Sequence, residues 1–149
     1  MKHPLSPRAC PFCAIAAGEI PAHRVHEDDH LVAFLDRGPI RTGHIQIIPR
    51  RHYPYFDDLP PALAGEIVQL GQRLAVALKR IHGVERVAFL FTGGDIAHAH
   101  AHIVPMVEGD DITSRRYIVQ SEVTYRDAPL ASVDELRASA AAIRQAMAD

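Results

Sequence analysis

The stretch "HAHAHIVPM", residues 98–106, constrains the fold more than any other part of the chain. Histidine at every second position, with alanine between, has the period of an extended strand. Such a strand sends His98, His100 and His102 to one face and Ala99 and Ala101 to the other. The alanine face lets a helix or a neighbouring strand lie close. A solvated face would mix Lys, Glu and Thr among the imidazoles, and none is present. Two uses remain. Next-but-one neighbours on a strand stand about 6.5–7 Å apart, so two of the three can share a metal only with further ligands from elsewhere. Otherwise one imidazole attacks phosphorus while another donates to a phosphate oxygen.

The flanking sequence supplies a sheet for this strand. "HLVAFLDR" (30–37) and "HIQIIPRRH" (44–52) read as two strands joined by the turn-rich "GPIRTG", and "RVAFLF" (86–91) reads as a third, buried by its unbroken apolar run. "TGG" then turns the chain into the histidine strand, expected over 96–105. Between them lies one long helix, in which Leu63, Ile67, Leu70, Leu74, Leu78 and Ile81 recur at helical spacing. Asp58 is the expected cap and Gly83 the expected stop. "GDD" at 109–111 marks a loop and "RYIVQSEVTY" is weakly strand-like. The last segment, about 132–148, reads as a helix with Ser132 and Glu135 at capping-box spacing and an apolar stripe of Leu136, Ala140, Ile143 and Met147. Hairpin-joined strands with helices set apart give an α+β fold with an antiparallel sheet.

A chain of 149 residues suits one domain, here 1–149 with its core in 10–107 and a C-terminal extension carrying the last helix. A net charge of -2 argues against a nucleic-acid partner. No apolar run is long enough for a membrane span, and "MKHPLSPRACPFC" has no signal-peptide core, so a cytoplasmic, membrane-free protein is expected. Of the ten histidines, His3, His23, His26, His30 and His82 sit among charges or near turns and read as surface residues. His44, His52, His98, His100 and His102 lie in or beside strands, where an imidazole needs a partner or a purpose.

Both cysteines lie in "CPFC". Such a pair serves as a redox dithiol, as half of a zinc site, or as two unrelated thiols. The redox use wants a strand before the pair, and nothing strand-like precedes Cys10. Zinc needs two more ligands, and His52 and His98 are the candidates for a closed Cys2His2 set.

"HAHAHIVP" resembles the histidine-triad motif of the HIT nucleotide hydrolases and transferases. "LVAFLDRGPIRTGHIQIIPRRH" resembles that family's N-terminal hairpin, with its aspartate after the first strand, its Gly-His and its Pro-basic-basic-His close. The likeness runs over about residues 10–107 and implies the HIT-like fold. It implies that His100 is the nucleophile, transiently nucleotidylated at the α-phosphate, and that His102 contacts the phosphate or leaving group. It places Asp36 on the ribose hydroxyls, with Phe34 and Leu35 at the start of the base pocket. Where the family often carries an Asn and a Gln–Ser/Thr pair for phosphate, this chain has Val87, Gly94 and Asp95. The Thr92 hydroxyl and the amides of Gly93 and Gly94 are the remaining phosphate donors. The cysteine–histidine distribution resembles the zinc-binding bacterial subgroup, which implies a structural Zn2+ on Cys10, Cys13, His52 and His98.

The expected ligand is therefore a purine nucleotide or nucleotide conjugate. The expected assembly is a homodimer through the long helix and an edge strand, with Ala64, Ala75 and Ala77 allowing close approach. Two alternatives stand beside the hydrolase: a nucleotide-binding regulatory module with little turnover, and a metal-dependent hydrolase whose triad histidines are the ligands.

Overall fold

In the computed structural model the described residues are 9–107 and 129–148. The expected loop at 109–111 and the strand-like stretch at 116–125 lie outside them. Five strands form one antiparallel sheet in the order β1-β2-β3-β5-β4. They are β1 (Arg24–Glu27), β2 (Leu31–Leu35), β3 (Ile45–Pro49), β4 (Arg86–Phe91) and β5 (Ala101–Met106). Three helices accompany them, α1 (Pro11–Ala17), α2 (Pro61–His82) and α3 (Val133–Ala148). The fold is α+β with an antiparallel sheet, as expected.

Alternation along the strands divides the apolar residues between two layers. Leu31, Ala33, Leu35, Ile45, Ile47, Ala101 and Ile103 pack against α2 and α3 in the main core. Val32, Phe34 and Ile48 face the other way, onto Phe12 and Ala16 of α1. Gln46 and His102 share that second face, because Gln46 pairs with Phe34 on one side and His102 on the other. α2 contributes Ile67, Leu70, Leu74 and Leu78 at i, i+3, i+4 spacing and ends at Gly83, whose φ of 63° only glycine adopts freely. Ser132 and Glu135 form the expected reciprocal cap, with Ser132 N–H on Glu135 Oε2 at 2.9 Å and Glu135 N–H on Ser132 Oγ at 3.2 Å.

Several expectations need correction. β5 begins at Ala101 rather than residue 96. The amide of Ala99 donates to Tyr53 O at 2.6 Å, outside the ladder, so His98 and His100 lie on an irregular lead-in and only His102 on the strand. β4 is an edge strand with partly exposed residues, Phe89 being 39% exposed, because nothing pairs its outer side among the described residues. Asp58 does not cap α2. Pro60 holds that position, and Asp58 instead accepts from Tyr55 N–H at 3.1 Å across a short 3-10 turn, Phe56–Asp58. Ile81 is exposed, and Ala77 is buried inside the chain rather than offered to a partner. α1 and β1 were not read as elements at all. His82 is half-buried against Gly43, where a Cβ would come within 2.6 Å of its Nε2, so it is not a simple surface residue.

Candidate functional site

Cys10 lies at the N-cap of α1, and Cys13 follows one turn later. Burial of Ile48 and Phe34 under Phe12 holds that helix against the sheet. The result brings Cys10, Cys13, His52 and His98 together, their ligand atoms all within 4.8 Å of one another. Cys10 Sγ lies 3.4 Å from His98 Nδ1, and Cys13 Sγ lies 3.3 Å from His52 Nδ1 and 3.5 Å from His98 Nδ1. In a tetrahedron with Zn–S of about 2.3 Å and Zn–N of about 2.0–2.1 Å, sulfur and nitrogen stand about 3.6 Å apart. The four residues fit that ion with little movement. Burial pushes the Cys13 thiol up to about 11, with the hydrogen bond and charge of Cys10 adding to it. Two thiolates in this place need a cation.

His98 is fully buried and its tautomer is set by the backbone. Its Nε2–H donates to Pro49 O at 2.9 Å, which leaves the Nδ1 lone pair facing the sulfurs. Burial holds its pKa down near about 4, so it stays neutral and able to ligate. His100 is oriented the opposite way. Its Nδ1–H donates to the carbonyl of His98 at 2.7 Å, leaving Nε2 with a bare lone pair. The Phe12 ring packs edge-on against both, with centroids 5.9 Å from His98 and 5.1 Å from His100.

His102 sits beside His100, with ring centroids 4.9 Å apart, and is governed by a residue for which the sequence suggested no role. His44, 3% exposed, accepts the amide hydrogen of Ile40 on Nδ1 at 3.1 Å. Its hydrogen is therefore on Nε2, which donates to His102 Nδ1 at 2.9 Å. His102 must then carry its own hydrogen on Nε2. Burial, with the nearby imidazoles of His100 and His44, lowers its pKa to about 4 and keeps it neutral. The pKa of His44 is lowered too, by burial and against the pull of Asp36. Asp36, His44 and His102 also lie close enough to suggest a metal. The Ile40 amide argues against one, since a metal on His44 Nε2 would force a hydrogen onto Nδ1, against another donor.

Asp36 follows β2, its Oδ1 accepting from Gly38 N–H at 2.8 Å and its Oδ2 from Gln46 Nε2 at 2.7 Å. With Leu35 and His44 it lines a cavity of about 50 Å³ beneath α3. A larger cavity of about 300 Å³ lies at the other end of the site, bounded by Tyr55, Phe56, Phe91, Thr92, Gly93 and His100. The structure thus gathers Thr92 and Gly93 with His100, and Leu35 and Asp36 with His44. Gly94 is exposed beside them, and Asp95 is exposed as well. Phe34 lines neither cavity; it is 5% exposed and covered edge-on by Phe12 at 5.8 Å. Leu35 points into the helix-side core, so it and Phe34 do not share a face. Sequence reasoning missed Phe12 and Gln46, and marked His44 only as an imidazole beside a strand in need of a partner or a purpose.

A model of the HIT domain matches residues 17–109 of this sequence. The chain belongs to the HIT domain family. Among HIT relatives, an uncharacterized HIT-like protein of Methanocaldococcus jannaschii is 35% identical over 105 residues, covering 68% of this chain and 81% of its own. The adenylylsulfatase HINT3 of Arabidopsis thaliana is 33% identical over 106 residues, covering 68% of this chain and 54% of its own. A zinc-bound histidine triad protein from Mycobacterium smegmatis superposes with a TM-score of 0.75 at 27% identity, covering 96% of each chain. No helix among the described residues is long and apolar enough to cross a membrane.

Proposed function

We propose that this HIT protein is a nucleotide hydrolase that works through a nucleotidyl-His100 intermediate. The observation that carries the reading is the pair of oppositely set imidazoles: His100 with a bare Nε2 and His102 with a hydrogen on Nε2. A nucleophile needs the first and a phosphate donor the second. His100 Nε2 attacks the α-phosphorus, forming a P–N bond while the bond to the leaving group breaks, and the leaving group departs with its electron pair and takes up a proton. Water then attacks the same phosphorus, releases neutral His100 and yields the nucleoside monophosphate. His102 Nε2–H steadies a phosphate oxygen in both steps. Thr92 and the amides of Gly93 and Gly94 supply further donors, and Asp36 accepts from the ribose. The relative that is an adenylylsulfatase acts on a nucleotide conjugate, in keeping with this reading.

Cys10, Cys13, His52 and His98 would hold a structural Zn2+, which would tie α1, the end of β3 and the lead-in to β5 together and leave no position open for water. That zinc-bound HIT proteins exist at the same fold supports it. The protein is proposed to be a homodimer through β4 and α2, where Phe89 is 39%, Val68 45% and Val76 52% exposed. A nucleotide-binding regulatory module with little turnover is the second reading, favoured by Val87, Gly94 and Asp95 standing where the family often carries its phosphate-binding Asn and Gln–Ser/Thr pair. The test is incubation with purine nucleoside phosphoramidates, adenylyl sulfate and dinucleoside polyphosphates, followed by acid quench and mass spectrometry. Acid-labile nucleotidylation at His100, absent in His100→Asn, is expected. Binding without turnover or labelling would replace the hydrolase by the module.

A further inference from the structure

Gln46 is a polar side chain in a place built for an apolar one. It is 9% exposed on the triad face of β3, with Phe34 and His102 as its partners across the sheet. The orientation of its amide is chemically fixed. Asp36 carboxylate oxygens only accept, so the group 2.7 Å from Oδ2 is the Nε2 amide, and Oε1 is turned away from the aspartate. That Oε1 is closed to solvent and has no hydrogen-bond partner among the described residues. A buried acceptor with no donor is costly and uncommon, and it calls for a water, an ion or a bound group to complete it.

We propose that Gln46 is the residue that makes this site select ribonucleotides, its Oε1 accepting one hydroxyl of the sugar's vicinal diol while Asp36 accepts the other. The assignment rests on the nucleotide reading above. Each Asp36 oxygen already holds one donor, from Gly38 and from Gln46, which fixes the carboxylate while leaving each oxygen a second lone pair. Two neighbouring hydroxyls present two donors at a fixed spacing. A carboxylate oxygen and an adjacent amide oxygen, joined by the Nε2–Oδ2 bond, meet both. A leucine or methionine in place of Gln46 would fill the same space and leave only the Asp36 carboxylate to accept a hydroxyl.

The test is calorimetric binding of adenosine 5′-monophosphate and its 2′-deoxy and 3′-deoxy forms, none of which needs turnover. The wild-type chain should bind the ribonucleotide about tenfold or more tightly than each deoxy form, roughly the worth of one hydrogen bond. Gln46→Leu should lose the discrimination against one deoxy form and keep it against the other. Gln46→Met, of similar length, repeats the measurement should the leucine variant fold poorly. Should both discriminations vanish together, Gln46 would only be positioning Asp36, and the direct contact would be wrong. Unchanged discrimination would overturn the assignment while leaving the nucleotide reading intact. If no nucleoside monophosphate binds the wild-type chain, the nucleotide reading fails and the assignment falls with it.

Discussion

The sharpest perturbation of the proposed mechanism is His44→Phe. Phenylalanine fills the 3% exposed slot of the imidazole and removes both nitrogens. Two hydrogen bonds go with them: Ile40 N–H on Nδ1 at 3.1 Å and Nε2–H on His102 Nδ1 at 2.9 Å. Each is worth about 1 kcal/mol net, and the buried ring is more apolar than the one it replaces, so the stability loss should be about 1–2 kcal/mol. That lowers the melting temperature by several degrees and leaves the protein folded. The effect on turnover should be larger than stability alone implies. Without the His44 hydrogen, His102 is free to carry its proton on either nitrogen, which costs about twofold, and its ring is free to turn, which costs more. The ceiling is the loss of the donor altogether, about 10²–10³-fold. A fall of about ten- to a hundredfold in the rate of His100 nucleotidylation is expected, read by rapid acid quench and mass spectrometry. The decisive control is His102→Asn. If His44 acts through His102, adding His44→Phe to that variant should slow it no further. A drop of equal size in both backgrounds, or a wild-type rate in His44→Phe alone, would refute the relay.

Further outcomes are open to direct measurement. Elemental analysis of freshly purified protein should find about one zinc per chain, and Cys13→Ser should lose it and lower the melting temperature by far more than His44→Phe does. The zinc-free chain should lose stability in mild acid: His98 is neutral in the fold down to about pH 4 but titrates near about 6.5 when unfolded, so its contribution is full above that value and falls as pH drops through the interval, by about 2 kcal/mol at pH 5 in urea titrations. Light scattering should give a dimer mass at micromolar concentration, and Phe89→Asp at the β4 edge should give a monomer; a wild-type monomer would remove the assembly.

Much of this was legible because the residues that decide it are periodic. Ile67, Leu70, Leu74 and Leu78 announce α2, and the alternation of Leu31, Ala33 and Leu35 with Val32 and Phe34 announces a strand buried on both faces. The closure of CPFC onto His52 and His98 could be suggested because metal chemistry limits the ligand types, but it came as one of three options until the resemblance weighted it. What escaped has no period. α1 is seven residues long and β1 four, too short for a repeat to emerge, and both are held by tertiary contacts rather than propensity. The edge position of β4 was invisible because an apolar run reads the same whether its outer side meets a strand of this chain or another molecule.

Histidine protonation was the least legible feature and the most consequential. In sequence the triad members differ only by position, yet the fold gives each imidazole a different nitrogen to use. A backbone carbonyl at Pro49 turns the Nδ1 of His98 toward the cysteines, and the carbonyl of His98 turns the Nε2 of His100 outward. A backbone amide, that of Ile40, acts on His102 at one remove, through His44. Each setting traces back to a main-chain group, distant in sequence for His98 and local for His100 and for His44, that no motif names. The period-two spacing sets the three imidazoles beside one another, although only His102 lies on the paired strand. That spacing does not explain why one suits a metal, one an attack on phosphorus and one the gift of a hydrogen bond. That division comes from the departure of residues 98–100 from the β5 ladder, which frees the carbonyl of His98 for His100, whereas a fully paired strand would have spent it on its neighbour.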